Sequence, residues 1–206
     1  MSERVGKARL EIRQARPADA RSIAALARRV YGDFEPYTLG EIRGQLNNFP
    51  QGCFVAILDD KLIGYCASMR IAGDKALRPH TWDEITGNGF GSRHDPTGDF
   101  LYGYEMCVGP EVRGTRIGRR LYEERRKLAE RLGLKGIVFG GRMPNLKRYW
   151  RRVRGPEDYL EQVVAGKLHD PVLRFQLANG FEPLGILRNY LPEDVRSRGH
   201  AVHMVW

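Results

Sequence analysis

Long apolar runs are missing from this 206-residue sequence, as are paired cysteines. The longest uninterrupted apolar run is Cys53 to Leu58, whereas a membrane-spanning helix needs about 20 such residues. The first residues contain no apolar segment of the kind that marks a signal peptide. The sequence therefore predicts a soluble, cytoplasmic protein.

The three cysteines, Cys53, Cys66 and Cys107, are far apart and form no CxxC pair. This spacing excludes a disulfide framework and a zinc ribbon, and it predicts buried thiols in a reducing compartment. No other spacing of cysteine or histidine in the chain is typical of a metal site, so no metal is expected.

Acidic residues are too few to balance the basic ones. The chain has 34 Lys plus Arg against 25 Asp plus Glu, a formal net charge of +9. Such an excess indicates an anionic partner, which would be a nucleic acid, a membrane surface or a phosphorylated small molecule. Most of the cations are arginines, which favour bidentate contacts with phosphate groups.

Hydrophobic periodicity predicts a mixed arrangement of strands and helices. The predicted strands cover residues 10–13, 53–58, 62–67, 101–108, 136–140, 185–190 and 201–206. The predicted helices cover residues 17–30, 39–46, 117–132, 156–165 and 170–178. Residues 73–99 are rich in Gly and Pro, and they predict a long loop with one helical turn near 81–85. Loops of this length usually carry function.

The turn between the strand 101–108 and the long helix 117–132 is the most informative segment. It contains Arg113, Gly114 and Arg116 and opens onto Gly118 in the first turn of the helix. The first amides of a helix lack internal acceptors and lie at the positive end of its dipole, so they bind anions. The glycines would allow a ligand to approach the backbone. A plain strand–helix connection with a solvated basic helix start is the alternative.

This strand–turn–helix, Val-x-Pro-Glu-x-x-Arg-Gly-x-x-Ile-Gly-Arg-x-Leu, resembles the acyl-CoA-binding motif of the GNAT family of N-acetyltransferases. The ending Asn179-Gly180-Phe181 is similar to a later motif of that family. Four further segments resemble a subgroup in which this domain precedes a carbon–nitrogen hydrolase (nitrilase-like) domain: residues 101–103, 139–142, 170–173 and 190–192. Because Trp206 lies about where such a hydrolase would begin, the chain is expected to be a stand-alone relative or an excised half.

The resemblance implies an α/β (α+β) fold in which helices flank a mixed, mostly antiparallel central sheet. It covers nearly the whole chain and implies one acyl-CoA-binding domain over residues 1–206, with insertions at about 73–99 and 142–167. The implied activity is transfer of an acetyl group from acetyl-CoA to an unidentified amine. The implied cofactor-binding residues lie on the strand and in the turn: Met106, Cys107, Val108, Arg113, Gly114, Thr115, Arg116, Ile117, Gly118 and Arg119.

Two positions depart from the family pattern. The first Gly of the turn pattern is Arg116 here, so the turn must accept a side chain. A Tyr that can protonate the leaving thiolate in many relatives is Gln176 here, with Phe175 before it. An amide cannot act as a general acid, so this part of the usual mechanism is in question.

Glu105 is the only carboxylate within the strand 101–108, and it is the first candidate for the base that deprotonates the amine. Burial among apolar neighbours would raise its pKa toward a useful range. The alternatives are a solvent-facing Glu105 or an ion pair with an arginine. Tyr102 and Tyr104 are the other catalytic candidates; they lie on the opposite face of an ideal strand, although a bulge would change the faces.

The acceptor is expected to be a small-molecule or peptide amine, selected by the two insertions. His80, His94 and Asp95 in the first insertion are further candidates for the chemistry. The basic residues 148–154 in the second would bind an acidic acceptor or nucleic acid, or form a solvated basic lid. Two other functions stay open: a catalytically weak CoA sensor associated with a carbon–nitrogen hydrolase domain or protein, and, ranked lower, nucleic-acid binding. A homodimer is also left open, and no membrane partner is expected.

Overall fold

One sheet of seven strands organises the computed structural model, which describes residues 9–32, 37–112 and 115–206. The strands are β1 (Leu10–Gln14), β2 (Phe54–Leu58), β3 (Lys61–Ile71), β4 (Phe100–Val108), β5 (Ile137–Arg142), β6 (Glu182–Leu187) and β7 (Ala201–Val205). Their order is β1-β2-β3-β4-β5-β7-β6, and every neighbouring pair is antiparallel except β4 and β5. The predicted mixed, mostly antiparallel sheet is confirmed.

Helices connect and cover these strands. They are α1 (Ala20–Tyr31), α2 (Leu39–Asn48), α3 (Gly73–Ala76), α4 (Trp82–Thr86), α5 (Ile117–Arg131), α6 (Leu146–Tyr149), α7 (Pro156–Val164) and α8 (Pro171–Ala178). Short 3-10 turns cover Pro17–Asp19, Pro50–Gly52, Pro110–Val112 and Trp150–Arg152. In the described part of the chain, none of these helices has the length and apolarity needed to cross a membrane.

The two faces of the sheet are covered by different helices. On one face the hydroxyl of Tyr65 donates to Gln45 of α2 at 2.9 Å. On the other, Gly64 leaves room for Ile117 and Leu121 of α5. Since side chains alternate along a strand, α2 and α5 therefore lie on opposite faces. The apolar stripe of α5 that the 3.6-residue periodicity predicts is the face that it buries.

Two segments differ from the sequence prediction. The strand predicted at 185–190 is β6, Glu182–Leu187, and it ends earlier because Asn189 has the left-handed φ of 52°. The loop predicted at 73–99 contains the turn expected near 81–85, as α4, and also the short helix α3. Thr81 caps α4 by accepting from the N–H of Glu84.

Strands β4 and β5 separate soon after they meet, which opens a fork in the middle of the sheet. In the part of the chain that the structure describes, their ladder consists of the pairs Leu101–Ile137 and Tyr102–Val138. A β-bulge lies next to the fork, because Ala67 of β3 pairs with Glu105 and Ser68 pairs with Gly103. Tyr104 is the extra residue, and such a bulge bends its strand and changes the local twist. The outer half of β4 therefore has no strand partner on its β5 side.

Candidate functional site

The outer half of β4 provides three of the residues predicted to bind a cofactor. Met106 and Val108 are half-buried and Cys107 is buried, and all three follow the point where β5 separates. Their backbone N–H and C=O groups on the side away from β3 have no ladder partner. A ligand that carries amide groups can pair with such a strand edge.

The turn before α5 lies at the end of the same strand. The N–H and the hydroxyl of Thr115 both donate to the carbonyl of Val112. Arg116 is the N-cap of α5 and has a φ of 63°. The described residues supply no acceptor for the N–H groups of Ile117, Gly118 and Arg119. These amides meet the requirement for an anion-binding helix start. Two predicted residues, Arg113 and Gly114, lie outside the described residues.

Positive charge surrounds these amides. An open depression here is lined by Arg116, Arg119, Arg120 and Glu123. Glu123 pairs with Arg119 at 3.2 Å, and both side chains are solvent-exposed. The described residues provide no ion pair for Arg116 or Arg120, so their guanidinium groups can neutralise a bound phosphate.

Gly118 has a packing role in addition to its free N–H. A Cβ at this position would lie 2.8 Å from Cζ of Phe175 on α8. The ring of Phe175 in turn stacks on Tyr122, with centroids 5.5 Å apart. This packing is a second reason for a glycine here, because the aromatic ring occupies the space that a Cβ would take.

Glu105 lies next to the bulge with its carboxyl group directed to the face of α1. The hydroxyl of Tyr31 donates to its Oε1 at 2.6 Å. Glu105 is 6% exposed, so the alternative of a solvent-facing side chain is wrong. It forms no ion pair with an arginine in the described part of the chain. Burial raises the pKa of Glu105, and hydrogen bonds from Tyr31, Tyr37 and Cys107 partly offset this effect.

Arg142 at the end of β5 faces the same region from the other side of the fork. Its guanidinium binds the buried carboxylate of Asp194 through Nε at 2.6 Å and through Nη2 at 2.9 Å. The charge of Arg142 also interacts with Tyr31 and Glu105. Sequence reasoning missed Tyr31, Tyr37 and the specific place of Arg142, because they come from three separate segments that only the fold brings together.

Tyr102 is fully buried in a separate hydrogen-bond chain. Its hydroxyl lies 2.7 Å from Nε2 of His80 and 3.0 Å from the hydroxyl of Tyr190. Nδ1 of His80 lies 2.8 Å from the carbonyl of Arg78, which can only accept, so Nδ1 carries the proton. Tyr102 therefore donates to Nε2. Burial lowers the pKa of His80 to about 4, so the imidazole is neutral at pH 7.

Tyr104 lies closer to Glu105 than the ideal-strand argument expects. Its carbonyl accepts from the indole N–H of Trp82 at 3.3 Å, and its hydroxyl is against Gly91. A Cβ on Gly91 would lie 2.7 Å from this hydroxyl and 3.8 Å from Cα of Gln45, so Tyr104 is on the face of α2. The bulge, by adding one residue, brings Tyr104 and Glu105 to the same face. The expectation that Tyr104 lies opposite Glu105 is wrong for this reason.

Gln176 on α8 reaches the fork from the face of α5. It is buried, and a Cβ on Gly141 would lie 2.3 Å from its Oε1. Within the residues that the structure describes, this Oε1 has no hydrogen-bond partner. On the opposite face, Tyr190 fills the space beside Gly140. The two consecutive glycines of β5 thus admit one polar side chain from each face.

The other candidate residues of the first insertion have structural contacts. Nδ1 of His94 accepts from the N–H of Arg70, and its ring stacks on Phe49. The carboxylate of Asp95 accepts from the N–H and hydroxyl of Thr97. Across residues 9–32, 37–112 and 115–206, no three His, Cys, Asp or Glu side chains gather as they would around a metal ion.

The basic segment of the second insertion forms α6 and the following 3-10 turn. Its cations Arg148, Arg151 and Arg152 are all exposed at the surface. The guanidinium of Arg198 lies 4.0 Å from the centroid of Trp150, which joins this segment to the loop before β7. The arginines of this segment therefore form a basic surface that is held to the rest of the domain.

Three proteins with similar sequences or structures place this arrangement among known folds. "Probable hydrolase YhcX" of Bacillus subtilis (strain 168) is 40% identical over 210 residues. The alignment covers 100% of this chain and 41% of that protein, so the chain spans less than half of that relative's length. "Uncharacterized N-acetyltransferase YkwB" of the same organism is 31% identical over 81% of this chain and 73% of its own length. The GphF GNAT-like decarboxylase, solved in complex with isobutyryl-CoA, is 31% identical, with a TM-score of 0.81 over 95% of this chain and 97% of its own.

The profile of one family matches the segment that contains most of the site. It is the profile of the acetyltransferase (GNAT) family, and it matches residues 20–153, from α1 through the fork to the basic segment. Together with relatives at 40% and 31% identity, this match confirms the resemblance predicted from the turn motif. The chain belongs to the acetyltransferase (GNAT) family.

Proposed function

We propose that this chain is an acyl-CoA-dependent N-acyltransferase that transfers acetyl from acetyl-CoA to an amine. The observation that carries the proposal is the continuity of two features: the edge of β4 in the fork and the amides at the start of α5, for neither of which the described residues supply a partner. Together they form one binding site for a molecule with an anionic end and an amide-bearing arm.

The residues present at this binding site fit coenzyme A. The N–H groups of Ile117, Gly118 and Arg119 would bind the diphosphate, with Arg116 and Arg120 as counter-charges. Arg113, Gly114 and Thr115 of the same turn are proposed to contribute. The edge formed by Met106, Cys107 and Val108 would pair with the pantetheine amides. The similar GphF decarboxylase was solved in complex with isobutyryl-CoA, and this supports a CoA thioester as the ligand.

Glu105 is proposed as the general base. In the transfer, the amine nitrogen bonds to the thioester carbonyl carbon, the C–S bond breaks, and coenzyme A leaves as a thiolate. The attacking amine must first lose a proton, and a buried carboxylate with a raised pKa can accept it. Tyr104 is proposed to line the same pocket, and Tyr102 to hold its wall through His80.

Gln176 cannot donate a proton to the leaving sulfur. Its buried amide can only hydrogen-bond to a thiolate, and we propose that the proton comes from water. A free thiol has a pKa of about 8.5, so a thiolate is a tolerable leaving group near neutral pH. We therefore expect turnover without a side-chain acid, and slower turnover than an enzyme that has one.

A second candidate activity is decarboxylation of an acyl-CoA that carries a carboxylate on its α-carbon. Two observations favour it: the similarity to the GphF GNAT-like decarboxylase, and the charge interaction between Arg142 and Glu105. The guanidinium could orient the substrate carboxylate. A protonated Glu105 could then supply the proton that the α-carbon needs after the loss of CO₂.

A third candidate is a CoA sensor that binds without turnover. The chain spans 41% of YhcX, which is named a probable hydrolase, and this supports a proposed association with a carbon–nitrogen hydrolase domain. In that arrangement residues 1–206 would form the CoA-binding unit. Gln176 and Arg116 are the departures that favour this alternative. Nucleic-acid binding ranks below these three, and a steep loss of affinity with salt would be its signature.

One assay separates these functions. The protein is incubated with acetyl-CoA and a panel of amines, or with malonyl-CoA and no amine, and free thiol and CO₂ are both measured. An acyltransferase releases thiol only with an amine, a decarboxylase releases CO₂ without thiol, and a sensor releases neither. Calorimetry with acetyl-CoA accompanies the assay, and the absence of binding at millimolar concentration would overturn the proposal.

A further inference from the structure

A buried cation lies beneath the bulge of β4. Arg125 of α5 is 2% exposed, which places it among the largest fully buried side chains. Its Nη2 donates to the carbonyl of Ala67 at 2.6 Å and also to the carbonyl of Glu105. In the described part of the chain it has no carboxylate partner, and its Nε has no hydrogen-bond acceptor.

This arrangement does not favour stability. Removing an arginine from water without an acidic partner carries a large desolvation penalty, and a Leu or Met would fill the same core position without that penalty. Gly103 leaves room for the guanidinium, because a Cβ there would lie 2.9 Å from Nη1 of Arg125. A glycine within a strand weakens that strand. Both residues destabilise the core where the guanidinium contacts the bulge.

The two carbonyls bound by Arg125 belong to one cross-strand pair at the bulge. Ala67 and Glu105 are the last regular pair before the register shifts to Ser68 and Gly103. One Nη2 group, with its two hydrogens, therefore joins β3 to β4 at that point. The carboxyl group of Glu105 lies on the other face, against Tyr31. Arg125 thus binds the backbone of Glu105 from one face, while Tyr31 binds its side chain on the other.

The direction of one peptide group follows from this contact. The chain has no cis peptide among the residues described, so the carbonyl of Glu105 and the N–H of Met106 point in opposite directions. Because the carbonyl is held toward β3 by a guanidinium that also binds Ala67, the N–H points toward the unpaired edge of β4. A cation at the carbonyl polarises the peptide and makes its N–H a stronger donor.

We propose that Arg125 is a positioning residue for the acyl-transfer site. Arg125 holds the bulge and polarises the Glu105–Met106 peptide, so that the Met106 N–H binds the thioester carbonyl oxygen. Negative charge develops on that oxygen when the amine attacks, and a preorganised donor stabilises it. The inference rests on the proposed function. It adds a buried charge on the opposite face of the sheet as the source of the polarisation.

The first test uses acetyl-CoA labelled with ¹³C at the thioester carbonyl. In the wild-type complex, the carbonyl stretching frequency is expected to fall below that of free acetyl-CoA. Arg125→Met should lose most of this change and lower kcat/KM on the order of 10²-fold, while Arg125→Lys, which keeps the charge, recovers most of both. Thermal stability of Arg125→Met should be equal or higher, which a merely structural arginine would not allow. An unchanged frequency in Arg125→Met overturns the proposal.

Two further arms keep the test decisive. Gly103→Ala crowds the guanidinium without changing the charge, and it should reduce the frequency change even if Arg125→Met fails to fold. In the ligand-free protein, the positive charge of Arg125 lowers the pKa of Glu105, so Arg125→Met should raise that pKa further in a ¹³C NMR titration. If wild type does not bind acetyl-CoA, the proposed function fails, while the titration still decides whether Arg125 acts on Glu105; an unchanged pKa there counts against it.

Discussion

The hydroxyl of Tyr31 donates a 2.6 Å hydrogen bond to Oε1 of Glu105, which joins the end of α1 to the bulged part of β4. Tyr31 is therefore the residue through which the first helix can influence the chemistry of the sheet. Its donor favours the ionised carboxylate, while the burial of Glu105 disfavours it and has the larger effect. The balance of these two effects sets the pH range in which Glu105 can act as a base.

Replacing Glu105 with Gln should abolish most acyl transfer. A general base contributes about 10²- to 10⁴-fold, so kcat should fall by that order while acetyl-CoA affinity, measured by calorimetry, stays nearly unchanged. Tyr31→Phe is the matched control, because it keeps the carboxylate and removes one of its donors. Activity of Glu105→Gln within a few-fold of wild type would exclude Glu105 as the base.

The pH dependence gives a second check on Glu105. Transfer should decline as pH falls through its raised pKa, and Tyr31→Phe should move this decline to higher pH. Because the native pKa lies above the unfolded one, the stabilising contribution of the protonated group is lost as pH rises through the native value. Glu105→Gln lacks this loss, so thermal denaturation should find it more stable than wild type on the alkaline side only.

Arg116 has a left-handed φ of 63°, a conformation that favours glycine. Arg116→Gly should relieve this strain and raise the free energy of unfolding by about 1 kcal/mol, whereas Arg116→Ala should not. Both variants should bind CoA about tenfold more weakly if the guanidinium contacts phosphate. Unchanged affinity of Arg116→Ala would show that the side chain is merely tolerated.

Gly118 and Phe175 should show coupled effects on stability. Gly118→Ala places a methyl group 2.8 Å from Cζ of Phe175 and should cost about 1 kcal/mol, since the partly exposed ring can shift. In Phe175→Ala the same substitution should cost nearly nothing. A double-mutant cycle by urea denaturation measures the difference. Equal costs in both backgrounds would contradict the packing role of Gly118.

His80 should make the protein sensitive to acid. Its native pKa of about 4 lies below the ordinary 6.5, so the native state binds fewer protons than the unfolded state between those values. Its contribution to stability is complete above pH 6.5 and is lost as pH falls toward 4. His80→Gln should flatten the decline in Tm over this range, with part retained by His94 and His203, whose pKa values burial also lowers. An unchanged decline would contradict this role.

Local sequence patterns are enough to predict most of the fold. The apolar stripe of α5, the Asp59–Asp60 turn between β2 and β3 and the Asp170 cap of α8 are each determined by residues close together in the chain. The error at β6 concerns where the strand ends. The predicted strand runs through residues 188–190, but the left-handed φ of Asn189 ends it at Leu187.

The candidate site is only partly predictable, because its residues are brought together by tertiary structure. Glu105 is recognisable as an isolated carboxylate in an apolar strand. Its partners Tyr31 and Tyr37 come from the end of α1 and the segment before α2, and no local pattern links them to β4. The bulge that places Tyr104 and Glu105 on one face is also a property of the β3–β4 pairing, which sequence alternation alone cannot show.

Within the described residues, the ladder that joins the four-stranded half of the sheet to the three-stranded half has two residue pairs, Leu101–Ile137 and Tyr102–Val138. A ligand lying between these halves would complete the interrupted ladder and so become a structural part of the architecture. The backbone amides of β4 and β5 that face the fork would then exchange with deuterium more slowly when the ligand is bound. Hydrogen exchange with and without the ligand measures this difference. Because acyl-CoA would bind the folded chain and not the unfolded one, its binding would add to the free energy of unfolding. The cellular concentration of acyl-CoA would then affect how long the folded chain persists.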